Sequence, residues 1–180
     1  MNQLGKVFLS HKSEDKDFVR YVAEKIGIDR CHYDEYTFED GMNTLDEIMS
    51  ALDSTDLFIL FISDKALDSK WVKRERVRAK KLLDQGKIKQ IYPIIIDSNP
   101  AITYADERIP SWMREQYVIR RITSPKIAVQ KIKARLVELT WEIAPNLKNQ
   151  QTYFFGRNSE IEAFEQRRAN LDKPEMVCCV

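Results

Sequence analysis

The chain has 180 residues, enough for one domain of about 100–150 residues and an appendage, but not for two complete domains. Its 29 basic residues are balanced by 28 acidic ones, so it lacks the overall positive field typical of proteins that bind nucleic acid or anionic membranes. Its three cysteines show no metal-ligand spacing, no apolar run approaches the about 18 residues of a membrane span, and no signal peptide precedes the first strand; we therefore expect a cytoplasmic protein with no metal, no membrane and no nucleic-acid partner.

The first predicted elements alternate between strand and helix. Residues 6–10 (KVFLS) form a short apolar strand, and a helix follows in which apolar positions recur at helical spacing over 18–26. Ser13 is the expected N-cap of that helix. Residues 31–35 (CHYDE) form a second strand, and TLDE at 44–47 is a capping box that begins a second helix.

The centre of the chain is a buried strand followed by a helix that carries an inward-facing carboxylate. Residues 57–62 are all apolar, too short a run for an ordinary helix and typical of a strand buried on both faces. After a polar loop at 63–69, the apolar residues of the next helix fall within one arc of about 120°. Glu75 lies inside that arc, whereas the other charges of the helix, Arg76 included, lie outside it. A buried unpaired carboxylate costs several kcal/mol, so Glu75 either pairs locally with an arginine, caps a nearby loop or has a functional role.

The remaining elements complete a sheet of five strands. Residues 89–96 form a fourth strand, in which Pro93 predicts a place toward the sheet edge or a bulge. A short helical turn at 111–115, a fifth strand at 116–122 and a long helix over 127–145 follow. Strands alternating with helices indicate an α/β fold with a flavodoxin-like open parallel five-stranded sheet, order 2-1-3-4-5, and helices on both faces.

The predicted topology places a crevice next to Glu75. Ligands of open parallel sheets bind outside the carboxyl ends of the strands, at the point where the strand order reverses. Here that point lies between the first and third strands, whose exit loops are 10–13 and 63–69. The second of these loops leads directly to the helix that bears Glu75, so the helical wheel and the topology indicate the same region.

Three stretches resemble the Toll/interleukin-1 receptor (TIR) domains in their bacterial form. They are VFLSHKSED at 7–15, YDEYTFEDG at 33–41, which resembles the entry to the family's BB loop, and FISDKALDSKWVKRE at 61–75. The last is similar to the family's pattern of a loop serine, a serine-x-tryptophan and a glutamate four residues on. Val72 stands where the family usually has cysteine.

The resemblance implies an enzyme as well as a docking fold. Many TIR domains cleave the nicotinamide–ribose bond of NAD+, so the chain is expected to be an NAD+ glycohydrolase or cyclase in bacterial antiphage immune signalling. NAD+ is then the substrate, no cofactor is required, and homotypic association through the BB loop activates the enzyme. The alternative is a catalytically silent adaptor that recruits other TIR domains. A receiver-like regulator is disfavoured because the first loop lacks the acidic pair that binds magnesium.

The resemblance identifies Glu75 as the catalytic residue, since it matches the family's catalytic glutamate. Alternatives stay open for the other positions: Trp71 also suits the core, the loop serines also suit helix caps, and Asp34 suits orienting its loop. Substrate-contacting roles are proposed for a set of loop and helix-start residues: Ser10, His11, Lys12, Asp34, Phe38, Gly41, Ser63, Ser69 and Trp71.

The predicted domain comprises residues 1–147, and the tail, 148–180, differs from it in character. Residues 153–180 resemble the entry to a signal-transduction P-loop NTPase module, but no phosphate-binding GxxxxGK[ST] loop occurs. We expect a sequence cut ahead of that loop, or alternatively a helical appendage.

Overall fold

The structure, a computed structural model, describes residues 5–33 and 44–143, with side chains of the second range described from Ile48 to Glu142. The chain divides into two compact units, 1–139 and 140–180. The predicted domain boundary at 147/148, the interpretation of the tail and the side chains of the 44–47 capping box lie outside the described residues.

Thirteen elements follow one another in the described part of the chain, two of them single 3-10 turns. The strands are β1 (Val7–Ser10), β2 (Cys31–His32), β3 (Leu57–Ile62), β4 (Gln90–Ile95) and β5 (Arg120–Arg121). The helices are α1 (Lys16–Ile26), α2 (Thr44–Asp53), α3 (Asp64–Asp68), α4 (Lys70–Asp84), α5 (Ser111–Gln116) and α6 (Pro125–Ile143).

The sheet confirms the predicted topology. All of its pairings are parallel, and the strand order is β2-β1-β3-β4-β5. Strand β3 lies at the centre, and every one of its residues is at most 1% exposed. Since successive side chains point to opposite faces, a strand covered on both sides is apolar throughout.

Two apolar clusters cover the two faces of the sheet. Phe8, Phe58 and Leu60 belong to a cluster that includes buried residues of α2, α4 and α5. Leu9 and Ile59 belong to a second cluster, with buried residues of α1 and α6. The alternation along β1 and β3 therefore fixes which helix lies on which face.

Strand β4 accommodates its proline without a bulge. Its register against β3 runs without a gap from Gln90 to Ile95, so Pro93 lies opposite Leu60. The pairing with the edge strand β5 involves only Ile94 and Ile95. The prediction that β4 lies toward the edge is consistent with this register, because its second partner is a two-residue strand that begins beyond the proline.

Several local predictions were wrong. Ser13 does not cap α1, because it lies in a 3-10 turn and its hydroxyl donates to Glu14. The fifth strand spans two residues rather than 116–122, since α5 extends to Gln116. The loop 63–69 contains α3, a short helix that the sequence analysis had missed.

Candidate active site

Glu75 is buried beside the tip of β1. The residue is 5% exposed, and its Oε2 accepts a hydrogen bond of 2.6 Å from Ser10 Oγ. Ser10 is the last residue of β1 and is completely buried. The inward position of Glu75 and its place next to the carboxyl end of the first strand were both predicted from the sequence, and both are confirmed.

Ser63 and Asp15 connect the loops that follow β3 and β1. Ser63 Oγ donates a hydrogen bond of 2.6 Å to Asp15 Oδ2 and accepts one of 3.1 Å from the backbone N–H of Ala66. Ser63 is therefore the N-cap of α3, which was one of the alternatives left open. Its predicted contact with a ribose stays a prediction.

Asp15 is a site residue that the sequence pattern does not indicate. Its carboxyl has a raised pKa because burial disfavours the charge, and the hydrogen bond from Ser63 and the charge of His11 oppose this shift. Acidic residues in the first turn of a helix are common, so its type and position did not distinguish it from an exposed acid.

His11 has a fixed ring orientation. Its Nδ1 lies 2.8 Å from the carbonyl oxygen of Leu9, and its ring centroid lies 6.4 Å from that of Tyr33. A carbonyl can only accept, so this contact assigns the proton to Nδ1, and Nε2 is the acceptor when the ring is neutral. The structure thus places His11 next to Ser10 at the exit of β1, as expected.

Lys12, Ser69 and Trp71 have contacts that suit structural roles. Lys12 Nζ lies 3.9 Å from Glu14 at the surface. Ser69 caps α4 by accepting a hydrogen bond of 3.3 Å from the backbone N–H of Val72, and Trp71 packs partly buried against the core cluster. Their predicted contacts with substrate are untested, and Asp34, Phe38 and Gly41 lie outside the described residues.

Asp97 brings the tip of β4 into the same region. Its Oδ2 accepts from the backbone N–H of Asp64 at 2.9 Å, and its Oδ1 accepts from that of Asn99 at 2.8 Å. These two hydrogen bonds lower the pKa of the Asp97 carboxyl. The loops after β1, β3 and β4 are therefore joined by a chain of polar contacts that begins at Asp15.

Arg76 is buried, contrary to the helical wheel. The residue is 6% exposed, its Nη1 donates to the carbonyl oxygen of Arg108 at 3.2 Å, and burial lowers its pKa. The wheel placed Arg76 at the flank of the apolar arc. The loop after β4, to which Arg108 belongs, covers that flank, a tertiary contact that periodicity cannot show.

The sequence model of the TIR domain matches residues 7–121, which include β1, β3 and the start of α4 with Glu75. The chain belongs to the TIR domain family. The identification agrees with the parallel five-stranded sheet, and the matched residues include Glu75.

A solved structure of low sequence identity is also similar to this chain. The chain is 16% identical to BcmB, a CMP N-glycosidase of Clostridium botulinum, with a TM-score of 0.48, over 72% of this chain and 98% of that one. No curated protein matches the chain. Within residues 5–33 and 44–143, no helix combines the length and apolarity of a membrane span, and no group of potential metal ligands occurs.

Proposed function

We propose that this TIR domain cleaves the nicotinamide–ribose bond of NAD+, with Glu75 as the catalytic carboxylate. Support comes from family membership and from one observation: Glu75 is buried at the carboxyl end of β1, where Ser10 holds it. A buried carboxylate at the edge of the sheet where ligands bind suits an enzyme, whereas an adaptor that only binds other TIR domains does not need one.

The chemistry requires little beyond a fixed negative charge. Nicotinamide leaves as a neutral molecule from a cationic linkage, so positive charge develops on the ribose as the C–N bond breaks. A carboxylate next to that ring stabilises the oxocarbenium-like state, as acids do in glycoside hydrolysis. Water then attacks the anomeric carbon to give ADP-ribose and a proton, or a nucleophile within the substrate closes a cyclic product.

Ser10 prepares Glu75 for this role. A hydroxyl donor within 2.6 Å of a carboxylate oxygen stabilises its negative charge. The ribose of NAD+ carries hydroxyls of the same kind, which can replace Ser10 as donors to Oε2. In this proposal the Ser10 contact occupies the position that a ribose hydroxyl takes in the substrate complex.

The burial of Glu75 also bears on activation. At 5% exposure the residue has almost no surface open to a substrate, so turnover requires a rearrangement that uncovers it. We propose that self-association through the BB loop supplies that rearrangement, in the context of bacterial antiphage signalling. The activity of each molecule then depends on the local concentration of its neighbours.

The test is nicotinamide release by the full chain at controlled density. Protein carrying a terminal histidine tag is bound to nickel-lipid vesicles at increasing coverage, and NAD+ and its products are separated by chromatography. We expect the rate per molecule to rise with coverage and to be low for dilute protein. If no nicotinamide is released at any coverage, the enzyme proposal is wrong and the adaptor function remains.

A further inference from the structure

The outer face of α4 carries a row of cations that the proposed chemistry does not use. Residues three, four and seven positions apart lie on one side of a helix, and the exposed positions of α4 follow that spacing. We call the basic part of this surface the α4 basic stripe; it comprises four basic residues around one exposed valine: Lys70, Lys73, Arg74, Val77 and Lys81. Asp84, the exposed acid that ends the same row, pairs with Lys80. With a rise of 1.5 Å per residue, the stripe is about 16 Å long.

Among the residues that the structure describes, the cations of the stripe have no acidic partner. None of the four forms an ion pair with the residues that the structure describes. The acids that flank α4 already have partners: Asp53 pairs with Arg78, Asp68 with Arg108 and Asp84 with Lys80. Within the described part of the chain, α4 therefore carries a local positive charge that could attract an external anion, although the whole chain has a net charge of only +1.

We propose that the α4 basic stripe binds the phosphate backbone of double-stranded nucleic acid. A row of cations separated by one or two helical turns can meet successive phosphates, and release of counterions supplies the binding free energy. The stripe has no aromatic residue on which an unpaired base could stack, and this favours a duplex over a single strand. Binding is expected to be independent of sequence, because the contacts are to phosphates.

Two other anionic partners fit the stripe less well. A protein interface needs an apolar centre of several residues, and the stripe offers Val77 alone, 64% exposed. A helix that lies in a membrane surface needs a continuous apolar face, whereas the inner face of α4 is occupied by the core. The balanced charge of the chain predicted no nucleic-acid partner, but that argument concerns the field of the whole molecule and not a local row of cations.

The experiment measures binding of the full chain to a fluorescent 20-base-pair DNA duplex of arbitrary sequence by anisotropy, in 50–200 mM KCl. If the four cations neutralise four phosphates, a plot of the logarithm of the association constant against the logarithm of the salt concentration should have a slope of about −3.6. The triple variant Lys73→Glu, Arg74→Glu, Lys81→Glu should weaken binding about 100-fold at 100 mM salt and flatten the slope.

A matched control distinguishes the effect of the location of the substituted cations from the effect of the change in net charge. The variant Lys126→Glu, Lys131→Glu, Lys133→Glu changes the charge equally at exposed positions of α6, and circular dichroism confirms the folding of both. We expect the control to keep most of the affinity. Equal losses in the two variants, a slope near zero, absence of binding in 50 mM salt, or tighter binding to vesicles with 30% phosphatidylserine than to the duplex would each overturn the proposal. None of these results depends on NAD+ cleavage.

Discussion

At the scale of single residues, the hydrogen bond from Ser10 to Glu75 holds one oxygen of the buried carboxylate at the tip of β1. It joins two side chains that are 65 positions apart in the sequence, and both residues are buried. A buried carboxylate without donors would shift toward its neutral form, which cannot stabilise a developing positive charge. Ser10 is therefore a positioning residue for Glu75 as well as a candidate contact for the substrate.

Ser10→Ala should destabilise the fold measurably. The substitution removes a donor to a buried carboxylate, and we expect the free energy of unfolding to fall by about 1–3 kcal/mol in urea denaturation. Ser54→Ala is the matched control, because the Ser54 hydroxyl donates to a backbone carbonyl at the exposed surface. The control should change stability by less than about 0.5 kcal/mol, and equal losses in both variants would contradict this assignment.

His32 should make the fold sensitive to mild acid. Neither ring nitrogen has a hydrogen-bond partner among the residues that the structure describes, and burial, with a smaller contribution from Lys6, lowers the pKa of the ring. The pKa of His32 is therefore lower in the folded chain than in the unfolded chain, where it is about 6.5, and the unfolded chain binds the proton more readily. The neutral ring contributes its full share of stability above the unfolded-state pKa, and this share is lost as the pH falls through the folded-state pKa.

The measurement is the free energy of unfolding of the parent and of His32→Phe at pH 7.5 and pH 5. The phenylalanine ring fills the same space and cannot bind a proton, so the parent should lose more stability on acidification than the variant. The same loss in both proteins would show that His32 does not cause the acid sensitivity.

At the scale of elements, two serine caps determine where the helices next to the site begin. Ser63 begins α3 and Ser69 begins α4, the helix that carries Glu75. Ser63 has a second role, because it also donates to the half-buried carboxylate of Asp15. The two loops at the tips of β1 and β3 are held together through that one hydroxyl.

Ser63→Ala should therefore cost more stability than Ser69→Ala. Loss of a cap alone costs about 1 kcal/mol, and loss of the donor to Asp15 adds a further penalty of about 1 kcal/mol or more. Chemical denaturation of the two single variants measures the difference. A larger loss for Ser69→Ala would contradict the dual role of Ser63.

The sequence predicted the elements with strong apolar patterns and missed those that tertiary contacts determine. Strand β3 was placed at its observed bounds because Leu57–Ile62 is a continuous apolar run between polar residues. The cap at Ser13 and the burial of Arg76 were predicted incorrectly, since the first depends on a local turn and the second on the loop that contains Arg108. Asp15 was missed because the topology brings the loops after β1 and β3 together but does not show which of their side chains form a hydrogen bond.

At the scale of the whole molecule, α4 connects two surfaces of different character. Its inner face contributes Val72 and Leu82 to the core and holds Glu75 at the tip of β1, and its outer face is the α4 basic stripe. The same helix therefore carries the proposed catalytic acid and the proposed duplex-binding surface. Strand β3, which is buried on both faces, precedes α4 in the chain. The sheet therefore determines which face of α4 packs against the core and which face is exposed.

The catalytic role of the Glu75 charge is tested by comparing nicotinamide release by the parent, Glu75→Gln and Glu115→Gln at the same vesicle coverage. Glutamine keeps the size of the side chain and an oxygen that accepts from Ser10, but it lacks the negative charge. Glu115 lies exposed on α5 and serves as the control. We expect Glu75→Gln to lower the rate by about 10²-fold or more while thermal stability is retained, and Glu115→Gln to change the rate little. Equal rates for the parent and Glu75→Gln would show that the charge of Glu75 does not drive the cleavage of NAD+.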